Sequence, residues 1–426
     1  MPGDAQTIHI VVAGGNYAGL NAMQQLYSTL LAEPRATTAK VQITMIDRRD
    51  GFLHYIGMTR GLATPEYGRS LWIPYSTVSW LQHPQITIRQ STVDHITDTY
   101  VMLEDGEKLG FEYLIVALGV GRHAPIGVGA QTQADFETML RETHASIQAA
   151  STVTVVGAGA VGIELAADVK CVFPEKHVQL VHSRQQVLAG PFSAVLRDRV
   201  EQALAHMGVE VVLEQRVVGQ TPVSGDMDGA EAAGDIDDNR AARLPELIPA
   251  TAADAELTLA DGRQLRSDWV VRCLGARTRP ILRLPAKGLA TGIHGIRVRA
   301  TMQVDDARYP HIYACGDACA HSPVKLAGVA MHNGFVAARN IARCVLMGGP
   351  RAADSLLELS PDFPAKILLL MGRSRCAMQV GDEVWDEEQT RQYVFDDMGL
   401  AQCVNALSLE RTPVASSPFD QLPSPA

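Results

Sequence analysis

Length, composition and charge limit what this chain can be. It has 426 residues, 46% of them hydrophobic, and a formal net charge of −10; the length allows two or three hydrophobic cores, and the negative charge argues against nucleic acid as a partner. Its seven cysteines include no C-x-x-C pair, which predicts reduced thiols and excludes a dithiol centre of that spacing.

The N-terminal segment predicts a dinucleotide-binding turn. A strand over residues 8–12 is followed by a glycine-rich loop and a helix over 20–32, and the next strand, 41–46, ends at Asp47, an acid placed to hold ribose hydroxyls. The loop residues predicted to contact the cofactor are Gly14, Gly15, Asn16, Ala18 and Gly19. Asn16 replaces the middle glycine of the G-x-G-x-x-G pattern, so this copy is a loose one.

A stricter copy follows in the middle of the chain. A strand over 153–156 leads into Gly157, Gly159 and Gly162 and a helix over 161–171. These glycines permit the tight turn, the approach of backbone amides to a pyrophosphate and the packing of helix on strand, and the helix N-terminus favours phosphate. Two such patterns predict two dinucleotides, as in a flavoprotein that passes electrons from a nicotinamide to FAD.

The second strand of that unit, over residues 178–182, ends in His182, Ser183 and Arg184. NAD-specific domains place an acid here to bind the ribose hydroxyls. Its absence predicts that Ser183 and Arg184 receive a 2′-phosphate, so that NADPH is accepted at least as well as NADH. The alternative is that Arg184 is a solvated loop residue.

The rest of the chain is less regular. Residues 219–254, rich in Gly, Ala, Pro and Asp, predict a mobile acidic surface loop; their aspartates match no calcium-loop spacing, so no metal is predicted. A strand within 304–317 ends in Gly316 and Asp317 and precedes a helix over 326–346.

The neighbouring Cys315 and Cys319 are interpreted as small buried thiols. No apolar run approaches the ~20 residues of a transmembrane helix, no secretory leader is visible, and Pro2 stands where N-myristoylation requires Gly. We therefore expect a cytoplasmic protein without a transmembrane segment.

The order of these features resembles that of the two-dinucleotide-binding-domain flavoproteins. Besides the glycine loops, the shared layout consists of ALG at 117–119, LG at 274–275 and GD at 316–317. The stretches most similar to the apoptosis-inducing-factor-like FAD/NAD(P)H oxidoreductases, in the branch of the ferroptosis suppressor proteins, are GIELAAD at 162–168, FPEK at 173–176 and PVK at 323–325. The type II NADH:quinone oxidoreductases are more distant, and the resemblance covers residues 8–345.

The resemblance implies an α/β fold with two Rossmann-like domains and a small α+β C-terminal region. The expected FAD-binding domain is discontinuous, at 1–125 and 276–345. The NAD(P)H-binding domain is expected at 126–275 with the acidic loop inserted, and the C-terminal domain at 346–426 with a disordered tail.

The resemblance also implies roles for individual residues. Asp317 would bond the ribityl chain of FAD, and Glu164 and Lys325 would form an ion pair against the flavin, with Lys325 in the first turn of a helix that Ser322 and Pro323 begin. Further cofactor contacts are expected from Ala117, Gly119, Gly275, Gly316 and Leu326. His54, Tyr55 and Arg60 are candidates for the flavin lining, or else pack locally.

The leading hypothesis is an FAD-dependent NAD(P)H oxidoreductase that reduces a quinone or similar diffusible acceptor. One alternative is a slow-turnover NAD(P)H-sensing flavoprotein that acts through interactions, and another is a reductase of a small iron-sulfur protein. In the superfamily the C-terminal region packs on the flavin face or mediates dimers, so a homodimer is possible.

Overall fold

The computed structural model describes residues 7–32, 40–121, 125–222, 255–274, 290–291, 295–321, 325–349, 355–360, 366–393 and 397–410. Several predictions concern residues outside these ranges, namely Gly275, Ser322, Pro323, most of the 219–254 loop and the C-terminal tail.

The helices of the described ranges are α1 (Tyr17–Leu26), α2 (Met58–Ala63), α3 (Pro65–Gly68), α4 (Gln133–Ala149), α5 (Ala160–Val172), α6 (Ala194–Met207), α7 (Ala327–Leu346), α8 (Glu387–Tyr393) and α9 (Leu400–Ala406). The strands are β1 (Thr7–Ala13), β2 (Lys40–Asp47), β3 (Gly51–Leu53), β4 (Trp72–Pro74), β5 (Ile86–Gln90), β6 (Val93–Ile96), β7 (Tyr100–Leu103), β8 (Lys108–Gly110), β9 (Tyr113–Val116), β10 (Thr152–Val156), β11 (His177–Val181), β12 (Val209–Val212), β13 (Val217–Pro222), β14 (Ala255–Leu259), β15 (Gln264–Ser267), β16 (Trp269–Arg272), β17 (Ala290–Thr291), β18 (Gly295–Ile296), β19 (Ile312–Ala314), β20 (Lys366–Met371), β21 (Arg375–Val380) and β22 (Glu383–Trp385).

Two parallel sheets carry the predicted dinucleotide-binding units. The first has the strand order β19-β9-β1-β2-β5 and the second the order β12-β11-β10-β16. Their central strands are buried on both faces, which explains the continuous apolar runs in the sequence. In each sheet a glycine loop leads from a central strand into a helix, α1 in the first and α5 in the second. This confirms the predicted fold class.

The helix after the first loop differs from the prediction. It begins at Tyr17, directly after Asn16, and ends at Leu26, where a π-helical turn (Tyr27–Leu31) continues the chain. Periodic apolar residues do not distinguish α from π spacing over one turn, so the sequence predicted one continuous helix.

The C-terminal region forms an antiparallel sheet, β20-β21-β22, that packs on α5 and α6. One buried hydrophobic cluster contains Ile10 of β1, Val153 of β10 and Leu369 of β20, so the core is continuous through all three parts. No helix of the described ranges is long and apolar enough to cross a bilayer.

Candidate active site

A cavity of about 900 Å³ opens at the carboxyl edge of the first sheet. Its wall includes the loops after β1, β2, β9 and β19, where an open α/β sheet forms its ligand crevice. Most of the predicted FAD-site residues lie in this wall: Gly14, Asn16, Ala18, Asp47, Ala117, Gly119, Glu164, Asp317, Lys325 and Leu326. Gly15, Gly19 and Gly316 do not line the cavity; they pack closely against neighbouring residues behind its wall.

The first glycine loop fixes the acid at the end of β2. Gly14 has a φ of +107°, and a Cβ there would lie 2.3 Å from the carbonyl oxygen of Ala117, so no other residue fits. The backbone N–H of Gly15 donates to Asp47 Oδ2 at 2.6 Å. The backbone N–H of Arg49 donates to Asp47 Oδ1 at 2.9 Å. Sequence reasoning missed Arg49; its signal was the basic pair that directly follows Asp47.

Asn16 tests whether this loop fits a dinucleotide. It is the N-cap residue of α1, yet its side chain makes no capping hydrogen bond, and its Oδ1 is buried without a partner in the described structure. Such atoms are rare in native proteins. This oxygen can only accept a hydrogen bond, so it suits a hydroxyl of a bound ligand, whereas the backbone N–H groups at the same helix N-terminus suit a pyrophosphate. The loop, Asp47 and the cavity volume, within the usual range for cofactor sites, fit FAD.

Only part of the loop after β3 lines the cavity. Tyr55 lies in the wall. His54 is fully buried, and its Nε2 donates to the carbonyl oxygen of Met398 at 3.0 Å. Its Nδ1 lies 3.1 Å from the hydroxyl of Tyr17, a wall residue that the sequence argument did not assign.

Arg60, which the sequence predicted as a cofactor-binding residue, does not line the cavity. It lies on α2 with 1% exposure, and its guanidinium pairs with Asp168 of α5 at 3.2 Å. It also donates to the carbonyl oxygen of Gly372 at 2.9 Å. A buried guanidinium is stable only with a charged partner, and here that partner lies on α5 rather than in the cavity.

Glu164 and Lys325 both lie in the cavity wall but do not form the predicted ion pair. The Nζ of Lys325 donates to the carbonyl oxygen of Cys319 at 2.6 Å. Because α7 begins at Ala327, with Leu326 as its N-cap, Lys325 precedes the helix instead of occupying its first turn.

Glu164 is held by the C-terminal sheet instead. Its Oε1 accepts the backbone N–H of Leu370 in β20 at 3.1 Å. Burial raises the pKa of Glu164 to about 8, although the Leu370 N–H and Arg60 oppose this rise; the nearby Asp168 adds to it. The carboxyl is therefore mostly protonated at neutral pH.

A second cavity, of about 440 Å³, lies at the carboxyl edge of the second sheet. Its wall contains Gly157, Gly159, Ser183 and Arg184, all predicted from the sequence. Gly157 has a φ of +111° and leaves no room for a Cβ, while Gly159 faces open space. Gly162 lies behind the wall and packs α5 against the loop. The second loop thus repeats the geometry of the first and fits the pyrophosphate of a nicotinamide coenzyme.

The two cavities adjoin at the start of α5. Ile126, Ala160 and Val161 belong to both walls, and Glu164 follows one turn later in the wall of the first cavity. Ligands in the two cavities would therefore meet beside Val161. The sequence does not show that the two cavities adjoin, because this depends on how the two sheets pack against each other.

The C-terminal region forms the remaining wall of the first cavity. Apolar wall residues come from β20, from the segment before α9 and from α9 itself: Ile367, Leu368, Met398, Cys403 and Ala406. Its polar members include Lys366, whose Nζ donates to the hydroxyl of Tyr393 at 2.6 Å. This wall is separate from the glycine loops.

The cysteines of the described residues are free thiols without a disulfide. Burial raises the pKa of Cys315 and of Cys319, and the Sγ of Cys319 donates to the carbonyl oxygen of Gly316 at 3.2 Å. Raised pKa values disfavour the thiolate, so both behave as the buried thiols that the sequence predicted.

The fold and the paired cavities define an oxidoreductase with two dinucleotide-binding domains. Residues 8–334 match the family model "Pyridine nucleotide-disulphide oxidoreductase", and the chain belongs to this family. It is similar to Oxidoreductase OXR1 of Ajellomyces capsulatus, with 27% identity over 435 residues that cover 95% of this chain and 88% of that protein. Ferroptosis suppressor protein 1 of Xenopus laevis is 26% identical over 380 residues, 87% of each chain.

A solved structure shows the same fold. The reduced CoADR-RHD of Bacillus anthracis gives a TM-score of 0.62 at 18% identity and covers 91% of this chain. This chain spans 64% of that one, less than two thirds of its length. The relatives confirm the resemblance to the ferroptosis suppressor branch, and the cofactors of this oxidoreductase are FAD and NAD(P)H.

Proposed function

We propose that this oxidoreductase transfers two electrons from NAD(P)H, through FAD in the first cavity, to a quinone-type acceptor. The adjacency of the two cavities at Ala160 and Val161 carries the proposal, because it brings a coenzyme in the second cavity next to the cofactor in the first. FAD, when bound, supplies the two-electron chemistry that links coenzyme and acceptor. The domain limits expected from the sequence are part of this proposal.

The apolar C-terminal wall favours a quinone as the acceptor. Leu368, Met398 and Ala406 present carbon atoms to a concave site, which suits a flat, uncharged small molecule. An iron-sulfur protein would need an exposed docking surface rather than a cavity, so the small acceptor is favoured over that alternative.

Glu164 and Lys325 would serve this reaction in different ways. Reduction of a quinone by NAD(P)H consumes one proton besides the hydride: NAD(P)H + H⁺ + quinone → NAD(P)⁺ + hydroquinone. With its raised pKa, Glu164 holds a proton in the cavity wall, on the oxygen that does not accept the Leu370 N–H. Lys325 keeps two further N–H donors besides the one it gives to Cys319 and brings positive charge to the same wall.

The acceptor wall can be tested on α9, where Ala406 and Asn405 are adjacent and both exposed, but only Ala406 lines the cavity. We expect Ala406→Trp to raise the KM for a soluble quinone about tenfold or more, because the indole would occupy space in the cavity that the quinone needs. Anaerobic stopped-flow reduction by NAD(P)H should keep its wild-type rate, and Asn405→Trp should change neither quantity.

Two results would contradict the proposal. An unchanged quinone KM in Ala406→Trp would place the acceptor elsewhere. A wild-type protein that is reduced by NAD(P)H but passes electrons to no quinone, while its reduced form persists, would instead support the sensing alternative.

A further inference from the structure

The second cavity carries a cationic rim. Its wall contains Arg184, Arg216 and Arg272, and among the residues that the structure describes none of those that line it is Asp or Glu. In a domain that binds NAD through ribose hydroxyls, an acid would accept hydrogen bonds at the end of β11. The charge of this rim suits an anion instead.

Backbone hydrogen bonds bring two of these arginines together. The segment between β12 and β13 runs beside the loop that follows β11, because the N–H of Glu214 donates to the carbonyl oxygen of Arg184 at 3.0 Å. The next N–H, of Gln215, donates to the carbonyl oxygen of His182, also at 3.0 Å. Arg216 therefore reaches the same rim as Arg184, although 32 positions separate them in the sequence.

His182 contributes a neutral donor at this rim. The backbone N–H of Ala158 donates to its Nδ1 at 3.3 Å, so in the neutral ring the proton is on Nε2. That Nε2 is buried without a partner in the described structure. Burial, and then the charge of Arg184, lower the pKa of His182. An unpartnered N–H in the same wall as Arg184 and Arg216 is suited to a phosphate oxygen.

We propose that His182, Ser183, Arg184 and Arg216 form a subsite for a phosphate monoester on the ribose of the coenzyme, so that the protein prefers NADPH to NADH. The sequence pointed to Ser183 and Arg184; the structure adds Arg216 and His182. A 2′-phosphate would pair with two guanidinium groups and a hydroxyl, whereas a 2′-hydroxyl would leave both charges without an anion. This rests on the proposal that the second cavity binds the nicotinamide coenzyme.

Binding to the FAD-loaded protein tests this subsite without any electron acceptor. Calorimetric titration should show that NADP⁺ binds at least about tenfold more tightly than NAD⁺, and adenosine 2′,5′-bisphosphate more tightly than 5′-AMP. Arg184→Gln and Arg216→Gln should each weaken NADP⁺ about tenfold and change NAD⁺ less than about twofold. Arg266→Gln, an exposed arginine outside the cavity wall, is the control and should change neither.

Introducing an acid at the end of β11 provides the reverse test. Ser183→Glu should repel the 2′-phosphate and offer an acceptor to ribose hydroxyls, so the preference should turn toward NAD⁺. Equal binding of NAD⁺ and NADP⁺ by the wild type, or equal weakening of both in the two arginine variants, would overturn the subsite. Because these titrations need no acceptor, a failure of quinone reduction would leave their outcome unaffected.

Discussion

Glu164 shows how one side chain depends on the elements packed around it. Its Oε1 accepts a backbone N–H from β20, which favours the ionised form, and Arg60 acts in the same direction. Burial opposes both and is the larger effect, because transfer of a carboxylate out of water costs more than one neutral hydrogen bond returns. The raised pKa thus favours a protonated Glu164 in the wall of the first cavity.

The raised pKa predicts how stability varies with pH. The carboxyl has a pKa near 4.5 when unfolded and about 8 when folded, so ionisation favours the unfolded state as pH rises through that window. The stability that the protonated carboxyl gives the folded state is fully present below about pH 4.5 and is lost by about pH 8. Glu164→Gln keeps the acceptor for the Leu370 N–H but cannot ionise, so it should gain melting temperature over wild type between pH 5 and pH 9, by about 4 °C or more.

Thermal melts of both proteins across that range measure the difference. Asp168, whose pKa burial also raises, is present in both proteins, so its contribution to the difference cancels to first order. A wild-type curve that stays parallel to that of Glu164→Gln from pH 5 to pH 9 would mean that Glu164 is ionised in the folded protein.

For single residues, the sequence indicated where a side chain lies better than which residue it contacts. Asp47 ends β2 and Asp317 lies three residues after β19. Strand ends are local features that a sequence shows, and both residues lie in the cavity wall. The partners of Glu164 and Arg60 lie 206 and 108 positions away, in Leu370 and Asp168. Such pairs are chosen by the packing of whole elements, which no local pattern contains.

At the scale of elements, each glycine loop is a junction between one strand, one helix and the end of a neighbouring strand. The loop after β10 comes so close to the end of β16 that a Cβ on Gly157 would lie 2.6 Å from the carbonyl oxygen of Cys273. The loop after β1 meets the residue after β9 in the same way. These contacts involve backbone atoms, which cannot move without shifting a strand, and this is why the glycine spacing was a reliable signal in the sequence.

Gly157→Ala should therefore remove coenzyme binding while FAD stays bound, because the clash is confined to the second loop. Gly106→Ala is the control: its φ of +88° is also unfavourable for alanine, but its Cβ would meet nothing within 4 Å. The control should lose about 1–2 kcal/mol of stability from backbone strain and keep full affinity for NADP⁺. The flavin absorbance and a calorimetric titration separate the two effects; normal coenzyme binding by Gly157→Ala would mean that this loop does not hold the pyrophosphate.

At the scale of the whole molecule, α5 contacts both α2 of the first part of the chain and the C-terminal sheet. Through Asp168 it binds Arg60 of α2, and Arg60 in turn donates to Gly372 in the turn between β20 and β21. Through Glu164 it binds β20. Because β20 and α9 provide the C-terminal wall of the first cavity, we expect these contacts to set the distance between that wall and the glycine loops. The sequence indicated each region separately, but nothing in it showed that they meet at one helix.

The buried pair between Arg60 and Asp168 is the strongest test of this arrangement. Asp168→Leu leaves a guanidinium buried without its counterion, so we expect a loss of about 3–5 kcal/mol in unfolding free energy. Arg60→Met should cost less, because the remaining carboxyl can take a proton, as its raised pKa already favours. The double variant buries two apolar side chains and should lose less than the sum of the single losses, with a coupling of about 0.5–3 kcal/mol.

Chemical denaturation of the FAD-loaded proteins measures these values, and Arg375→Gln serves as the control, because its pair with Glu387 is about 40% exposed on both sides and should matter little. If the pair positions the C-terminal wall, the single variants should also raise the KM for the acceptor, since β20 would shift relative to α5. Losses that simply add in the double variant would show that Arg60 and Asp168 act independently. If Asp168→Leu is strongly destabilised but has an unchanged KM for the acceptor, the pair contributes to stability only. The contact between Glu164 and Leu370 would then position the wall.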